Sequence, residues 1–290
     1  MSSPIVGVYS EITVYSGPII NIHTHLRLKD DLPARVENWR KWNLVKVVCL
    51  STHDRWRAQG YAVNRDYPEL MGQFPDIIVG LAGVNLVAGE VDEPEALDRW
   101  KDQGFQGLKF EDNSYPYNHE VYWPLYERAE QLQLPILFHT GYLAPLQTDA
   151  RDGIDAENMR PYLLDKVARA FPELKMVGAH LGLPHANEAL QMISACRNVY
   201  YDFSGGSGQK PHLRTVVAAM LPPAGLETDW SDPQENLALG WFEKLCFATD
   251  NPEPDVWIPG SEYVMDQLRI PEPLRRKFYY DNAAYVLGIE

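Results

Sequence analysis

His23 and His25 stand two residues apart in the run Ile-Ile-Asn-Ile-His-Thr-His. On a strand that spacing puts both side chains on one face, so the two imidazoles converge on one point. Neutral imidazole is the commonest protein ligand for zinc and similar cations, and two ligands from one strand arrive with much of their orientation set. Alone, the pair also fits two hydrogen-bonded or exposed histidines, so the rest of the chain has to decide. Three later segments share one design, a short apolar run that stops abruptly at a group able to bind metal or move protons. They are Leu-Pro-Ile-Leu-Phe-His-Thr-Gly, reaching His139; Leu-Lys-Met-Val-Gly-Ala-His-Leu-Gly, reaching His180; and Lys-Leu-Cys-Phe-Ala-Thr-Asp-Asn-Pro, reaching Asp250. A fourth, Phe-Gln-Gly-Leu-Lys-Phe, places Lys109 in a comparable position.

The elements that must position these groups follow from the hydrophobic pattern. Eight apolar runs lie near 19–25, 45–51, 77–84, 105–110, 135–140, 175–180, 198–203 and 245–250. Their near-continuous hydrophobicity suits parallel strands covered on both faces. Most successive pairs are separated by helical patterning, and helices are predicted over 33–42, 94–103, 119–133, 159–171 and 186–196. Within 119–133, Val121, Tyr122, Leu125, Ala129 and Leu132 form the predicted apolar face. Eight strands each followed by a helix make a (β/α)8 TIM barrel, an α/β fold whose usual size of ~250 residues suits a single domain over 1–290. An open doubly wound sheet would need a Gly-rich turn after the first strand, and His-Thr-His-Leu-Arg-Leu has none. In a barrel the carboxyl ends of strands one, five, six and eight share one face. His23, His25, His139, His180 and Asp250 become neighbours there, a donor set able to surround one divalent ion and leave a position open.

The ordered set of motifs, His-x-His, Gly-x-Lys, His-Thr-Gly, Ala-His-Leu-Gly, Asn-Val-Tyr-x-Asp-x-Ser and Thr-Asp-x-Pro, resembles the amidohydrolase superfamily over nearly the whole chain. The closest branch is that of the amidohydrolase-related metal-dependent hydrolases, which holds aminocarboxymuconate-semialdehyde decarboxylase and several lactonases. The resemblance implies that His23, His25, His139 and Asp250 bind one divalent ion, with zinc the first choice, and that Asp250 and His180 are catalytic. It implies hydrolysis of an amide, lactone or related carbonyl bond by activated water, with non-oxidative decarboxylation of an unsaturated or aromatic acid at the same site as the alternative. Asn21 departs from the aspartate common at that position in the family.

Lys109 has three readings: a carbamylated bridge between two metal ions, as in two-metal members; an uninvolved lysine of a one-metal site; or a cation for a substrate carboxylate. One metal is the preferred reading. Arg27 lies close enough to the histidine pair to hold an anionic group, and His53 with Asp54 follows the second strand at the expected pocket mouth. Asp202 and Ser204 are either substrate contacts or hydrogen-bond partners that tie loops together. Tyr115, Tyr117, Tyr122 and Trp123 could stack on a planar substrate, with packing as the plainer role. Bland alternatives stand for the rest: core histidines satisfied by carbonyls for His139 and His180, and a turn former for Asp250.

Composition narrows the partners. A formal net charge of −14, from 40 acidic and 26 basic residues, argues against a nucleic-acid surface. The three cysteines lack metal or redox spacing and read as reduced core residues. No signal-peptide pattern opens the chain, and no apolar run nears the ~20 residues that span a bilayer. The expectation is therefore a cytoplasmic enzyme acting on a small molecule, with a homodimer possible by family resemblance. The Gly-rich 204–208 run opens a long, Pro-punctuated loop over 205–240, a candidate lid or interface.

Overall fold

The structure, a computed structural model, describes residues 15–289 apart from 145–148, 206–209, 222–228, 231, 233 and 252. Among the described residues seven strands form one parallel sheet in sequence order: β1 (Ile19–His25), β2 (Leu44–Leu50), β3 (Ile78–Val84), β4 (Leu108–Phe110), β5 (Ile136–Phe138), β6 (Met176–Gly178) and β7 (Val199–Tyr201). The expected eighth strand is not regular. The 245–250 run still joins both edges: Cys246 N donates to Tyr201 O at 2.8 Å, and Ile22 N donates to Phe247 O at 3.0 Å. Isolated parallel bridges at Tyr201–Leu245 and Thr24–Asp250 mark its two ends. The ladder breaks because the amides of Thr249 and Asp250 both donate to His23 O, at 3.1 and 2.8 Å, where a regular parallel partner would spread its bonds evenly. The sheet nevertheless closes on itself, and the fold is a TIM barrel.

Helices cover the outside as the pattern requires. Leu32–Lys41 starts with the Asp31 carboxylate accepting from Ala34 N at 3.1 Å, has Pro33 in its first turn and ends in Arg40 and Lys41. It buries Leu32, Val36 and Trp39, spaced four and three apart on one stripe. The predicted 119–133 helix divides into a 3₁₀ turn, Glu120–Tyr122, and the α-helix Trp123–Leu132. The tighter turn changes the phase of the stripe, so Val121 is 39% exposed instead of buried, while Leu125, Tyr126 and Ala129 face inward.

Two apolar layers hold the barrel. Val47, Cys49, Phe110 and Phe138 join helix residues such as Trp39 and Tyr126 in one cluster. Ile20, Ile22, Val48, Leu50, Val79, Leu81, Leu137 and Val177 form another, the alternate positions that fill a barrel interior. The C-terminal helix Asn282–Leu287 adds Ala283, Ala284 and Val286 to this second cluster and sits at the amino ends of the strands, where Lys175 Nζ donates to Tyr285 O at 2.5 Å. With that end plugged, the carboxyl end is the one left open. All three cysteines are free and buried. Of the 205–240 loop, Lys210–Met220 and Leu237–Phe242 are helical, whereas 206–208 of the Gly-rich run lie outside the described residues. No helix among the described residues is long and apolar enough to cross a membrane.

Candidate metal centre

The β1–β2 register shifts between Asn21 and Thr24, at the histidine pair itself, an irregularity of the kind that re-aims side chains beside active sites. His23 Nε2 and His25 Nε2 lie 3.3 Å apart, and Asp250 Oδ1 is 3.5 Å from each. Donors on a tetrahedral ion with bonds of about 2.0–2.1 Å lie about 3.3–3.4 Å apart, so this triangle has the dimensions of three ligands to one cation. A second grouping shares His23 and adds His180 and Asp202. His139 enters neither group. Its Nε2 lies 3.2 Å from Tyr142 O, while its ring stands 4.9 Å from that of His180.

Asp202 organises this side of the site. One oxygen accepts from His23 Nδ1 at 3.1 Å; the other accepts from His180 N at 3.0 Å, Ser204 N at 2.8 Å and Ser204 Oγ at 2.6 Å. Burial works to raise its pKa, but the hydrogen bond and charge of His23, with His180 and Ser204, hold it below the usual carboxylate range. An ionised carboxylate is an acceptor only, so His23 Nδ1 donates to it, and the ring turns Nε2 toward His25 and Asp250 as the nitrogen available to a metal. Burial pushes His25 down to about 3 and His180 down to about 4, which leaves both rings neutral at ordinary pH. Asp250 is likewise lowered: burial opposes its charge, and His23, His180 and His25 favour it.

His180 and Asp250 sit at φ +63° and +60°, a left-handed conformation that non-glycine residues seldom take but that Asp and His tolerate best. Gly141, two residues after His139, has φ +85°, and a Cβ there would lie 2.1 Å from Leu183 O. Glycine is what lets the chain turn so tightly behind His139.

His25, His139, His180 and Asp250 open onto a cavity of about 380 Å³. Trp56, Tyr61 and Tyr142 supply its aromatic surface. None of these was singled out by sequence, because each lies on a loop whose course only the fold sets. The aromatic residues that were singled out go elsewhere. Tyr117 is buried and donates to His139 O at 2.8 Å; Tyr122 is buried and donates to Leu86 O at 2.8 Å; Tyr115 stacks on His119 at 4.5 Å. Trp123 packs against Phe171. Arg27 does not line the cavity: its guanidinium lies 4.2 Å over the Tyr61 ring and donates to Tyr61 Oη at 2.8 Å. His53 is also outside it, its Nδ1 accepting from Arg55 N at 3.4 Å to start the Asp54–Gln59 turn.

Lys109 is buried below the cavity, with Nζ 3.8 Å from Glu111 Oε2. Glu111 lines the cavity, and the sequence carries a sign of it, since it follows β4 directly and stands two residues after Lys109 in extended chain, where alternate residues share a face. Burial raises the Glu111 carboxyl to about 7 against the opposing pull of Lys109. Its protonated form is thus favoured by folding, and its contribution to stability is full below the unfolded value of 4.5 and lost as pH rises through about 7. Glu111→Gln, which cannot ionise, is expected to gain stability over the parent as pH rises from 5 to 8. Paired denaturant melts check this, and a gap that stays constant across that range would refute it.

The sequence model of the family described as Amidohydrolase matches residues 44–289. The chain belongs to the amidohydrolase family. The match contains His139, His180 and Asp250 but begins after β1, so it is the fold that joins His23 and His25 to them. Family members are enzymes that use a divalent metal, and the residues here fit one. No protein of curated function matches the chain. Similar solved structures include an uncharacterised TIM-barrel protein of Bordetella bronchiseptica, at 17% identity and TM-score 0.61, covering 89% of this chain and 83% of that one. A 2,6-dihydroxybenzoate decarboxylase from Rhizobium has 15% identity and TM-score 0.62, covering 94% and 99%. A dihydroxybenzoic acid decarboxylase of Polaromonas sp. JS666, with bound manganese and the inhibitor 2-nitroresorcinol, has 17% identity and TM-score 0.61, covering 94% and 97%. At these identities the likeness is one of fold.

Proposed function

We propose that this amidohydrolase-family protein removes CO2, without oxidation, from a small hydroxylated aromatic or unsaturated carboxylic acid, using one divalent cation per chain. The observation that carries this reading is the meeting of the His23–His25–Asp250 triangle with a cavity walled by Trp56, Tyr61 and Tyr142, a surface suited to a flat, unsaturated molecule. Decarboxylases of hydroxylated benzoates among the structures of like fold support it. His23, His25 and Asp250 would hold the cation, with His139 and His180 beside them. The cation would supply Lewis acidity toward the carboxylate and a neighbouring substrate oxygen. Breaking the carbon–carboxylate bond leaves its electron pair on the ring or alkene carbon, which then needs a proton. Asp250 and His180 face the cavity and are the groups placed to relay that proton. Lys109 remains an amine in this reading, since a carbamate there would set two anions face to face beside buried Glu111.

Hydrolysis of a lactone or amide is the second reading, and the Asp250 carboxylate favours it: one oxygen beside both imidazoles is also where a base for an attacking water belongs. The test uses protein stripped of metal and reloaded with zinc or manganese, supplied with hydroxybenzoates and 2-enoic acids in one series and with lactones and amides in the other. Metal-dependent CO2 release from the first series alone is expected. Turnover confined to the second would replace decarboxylation by hydrolysis, and an equal rate in stripped protein would sink both.

A further inference from the structure

Two polar atoms on the β2–β4 side of the cavity have no hydrogen-bond partner among the described residues. Glu111 and Thr52 both line it, each is 5% exposed, and neither Glu111 Oε1 nor Thr52 Oγ1 makes a hydrogen bond. The other Glu111 oxygen pairs with Lys109 Nζ at 3.8 Å, too far for a hydrogen bond, and that amine too makes none among the described residues. Unpaired buried polar groups are rare in folded proteins and call for an explanation. Both residues line the same cavity, and the backbone amide of His53, next to Thr52, lies close enough to the Glu111 carboxyl to favour its charge. They also differ in character: a carboxylate oxygen accepts, while a hydroxyl both donates and accepts.

We propose that Glu111 and Thr52 form a specificity subsite that hydrogen-bonds a ring hydroxyl of the substrate, a role that rests on the decarboxylation reading above. A hydroxyl satisfies both atoms at once, donating to Glu111 and accepting from Thr52. Above about pH 7, where Glu111 is ionised, a carboxylate does not, since the Glu111 charge repels it. The subsite therefore orients the molecule, turning its hydroxyl toward β4 and its carboxylate toward His25 and Asp250. Lys109 keeps the Glu111 charge tolerable in a buried place and acts through it, without touching the substrate.

The test compares salicylate with benzoate, which differ by one hydroxyl, in calorimetric titrations of the metal-loaded protein at about pH 8, where Glu111 is ionised. The parent is expected to bind salicylate about tenfold to a hundredfold more tightly, the effect of one hydrogen bond to a charged group. Glu111→Leu is expected to bring that ratio close to 1 with metal content retained. Glu111→Gln, which keeps an acceptor, should preserve part of it. Thr52→Val, of nearly the same shape, should lower the ratio severalfold and gives a second reading if Glu111→Leu fails to fold. A parent ratio near 1, failure of the parent to bind either acid, or a ratio unchanged in both Glu111→Leu and Thr52→Val would overturn the proposal. The two readings fail separately: a hydroxyl preference without CO2 release removes the decarboxylase and leaves the subsite, whereas CO2 release with no preference does the reverse.

Discussion

Replacing Asp250 by alanine is expected to weaken metal binding by about a hundredfold to a thousandfold and to abolish metal-dependent turnover, while the barrel stays folded. Four ligands share about 10–16 kcal/mol in a well-formed zinc site, so one ligand accounts for about 3 kcal/mol or more. Asp250 provides one corner of the donor triangle, 3.5 Å from each imidazole, and its charge also offsets that of a cation held there. The fold tolerates the loss because the backbone at this point is fixed by Asp250 N donating to His23 O, which alanine keeps. Its φ of +60° suits alanine less well than aspartate, so a small loss of stability accompanies the larger loss of metal. Elemental analysis after dialysis and a competition titration with a chromophoric chelator give the affinity. Undiminished metal content in both Asp250→Ala and His25→Ala would refute the assignment of the centre.

Asp202 is expected to separate two effects by choice of replacement. Asp202→Asn keeps the volume and one acceptor oxygen for the amides of His180 and Ser204 but sets an amide N–H against His23 Nδ1, or else exchanges which bonds are lost. The His23 tautomer is then no longer held, and metal affinity should fall about tenfold to a hundredfold, as it does when the partner of a ligating histidine is removed. Asp202→Ala strands the His180 amide, the Ser204 amide and the Ser204 hydroxyl as well, and should also destabilise the protein by about 3–5 kcal/mol. Chelator competition and denaturant melts read the two quantities independently. Equal metal affinity in parent and Asp202→Asn would show that the carboxylate does not set the ring.

The apolar runs marked the positions of all seven strands, since a parallel strand covered on both faces must be hydrophobic throughout. The first run, 19–25, matches its strand to the residue, but the later runs were longer than theirs: that near 105–110 contains only Leu108–Phe110 as strand, and that near 198–203 only Val199–Tyr201. Hydrophobicity continues past the ladder because the flanking residues are buried whether or not they pair. His-x-His on β1 was legible for a local reason, the two-residue repeat of a strand, although a register shift falls at that very place and period alone does not reveal it. Asp202 was noticed but left between two roles, because its partners, His23 and His180, lie 179 and 22 residues away in sequence.

What the residue order determined by itself was what local repeats carry: the βα alternation, the barrel, and the types of group delivered at strand ends. What only the tertiary structure decided was which of those groups meet. The Asp250 carboxylate joins His23 and His25 while the His139 Nε2 turns to a carbonyl, Arg27 stays out of the cavity over the Tyr61 ring, and Glu111 and Thr52 face the cavity with atoms that make no hydrogen bond among the described residues. Period and burial act over a few neighbouring residues and can be read along the chain. Distances between strand ends depend on closure of the sheet and on loop paths, which every long-range contact sets together.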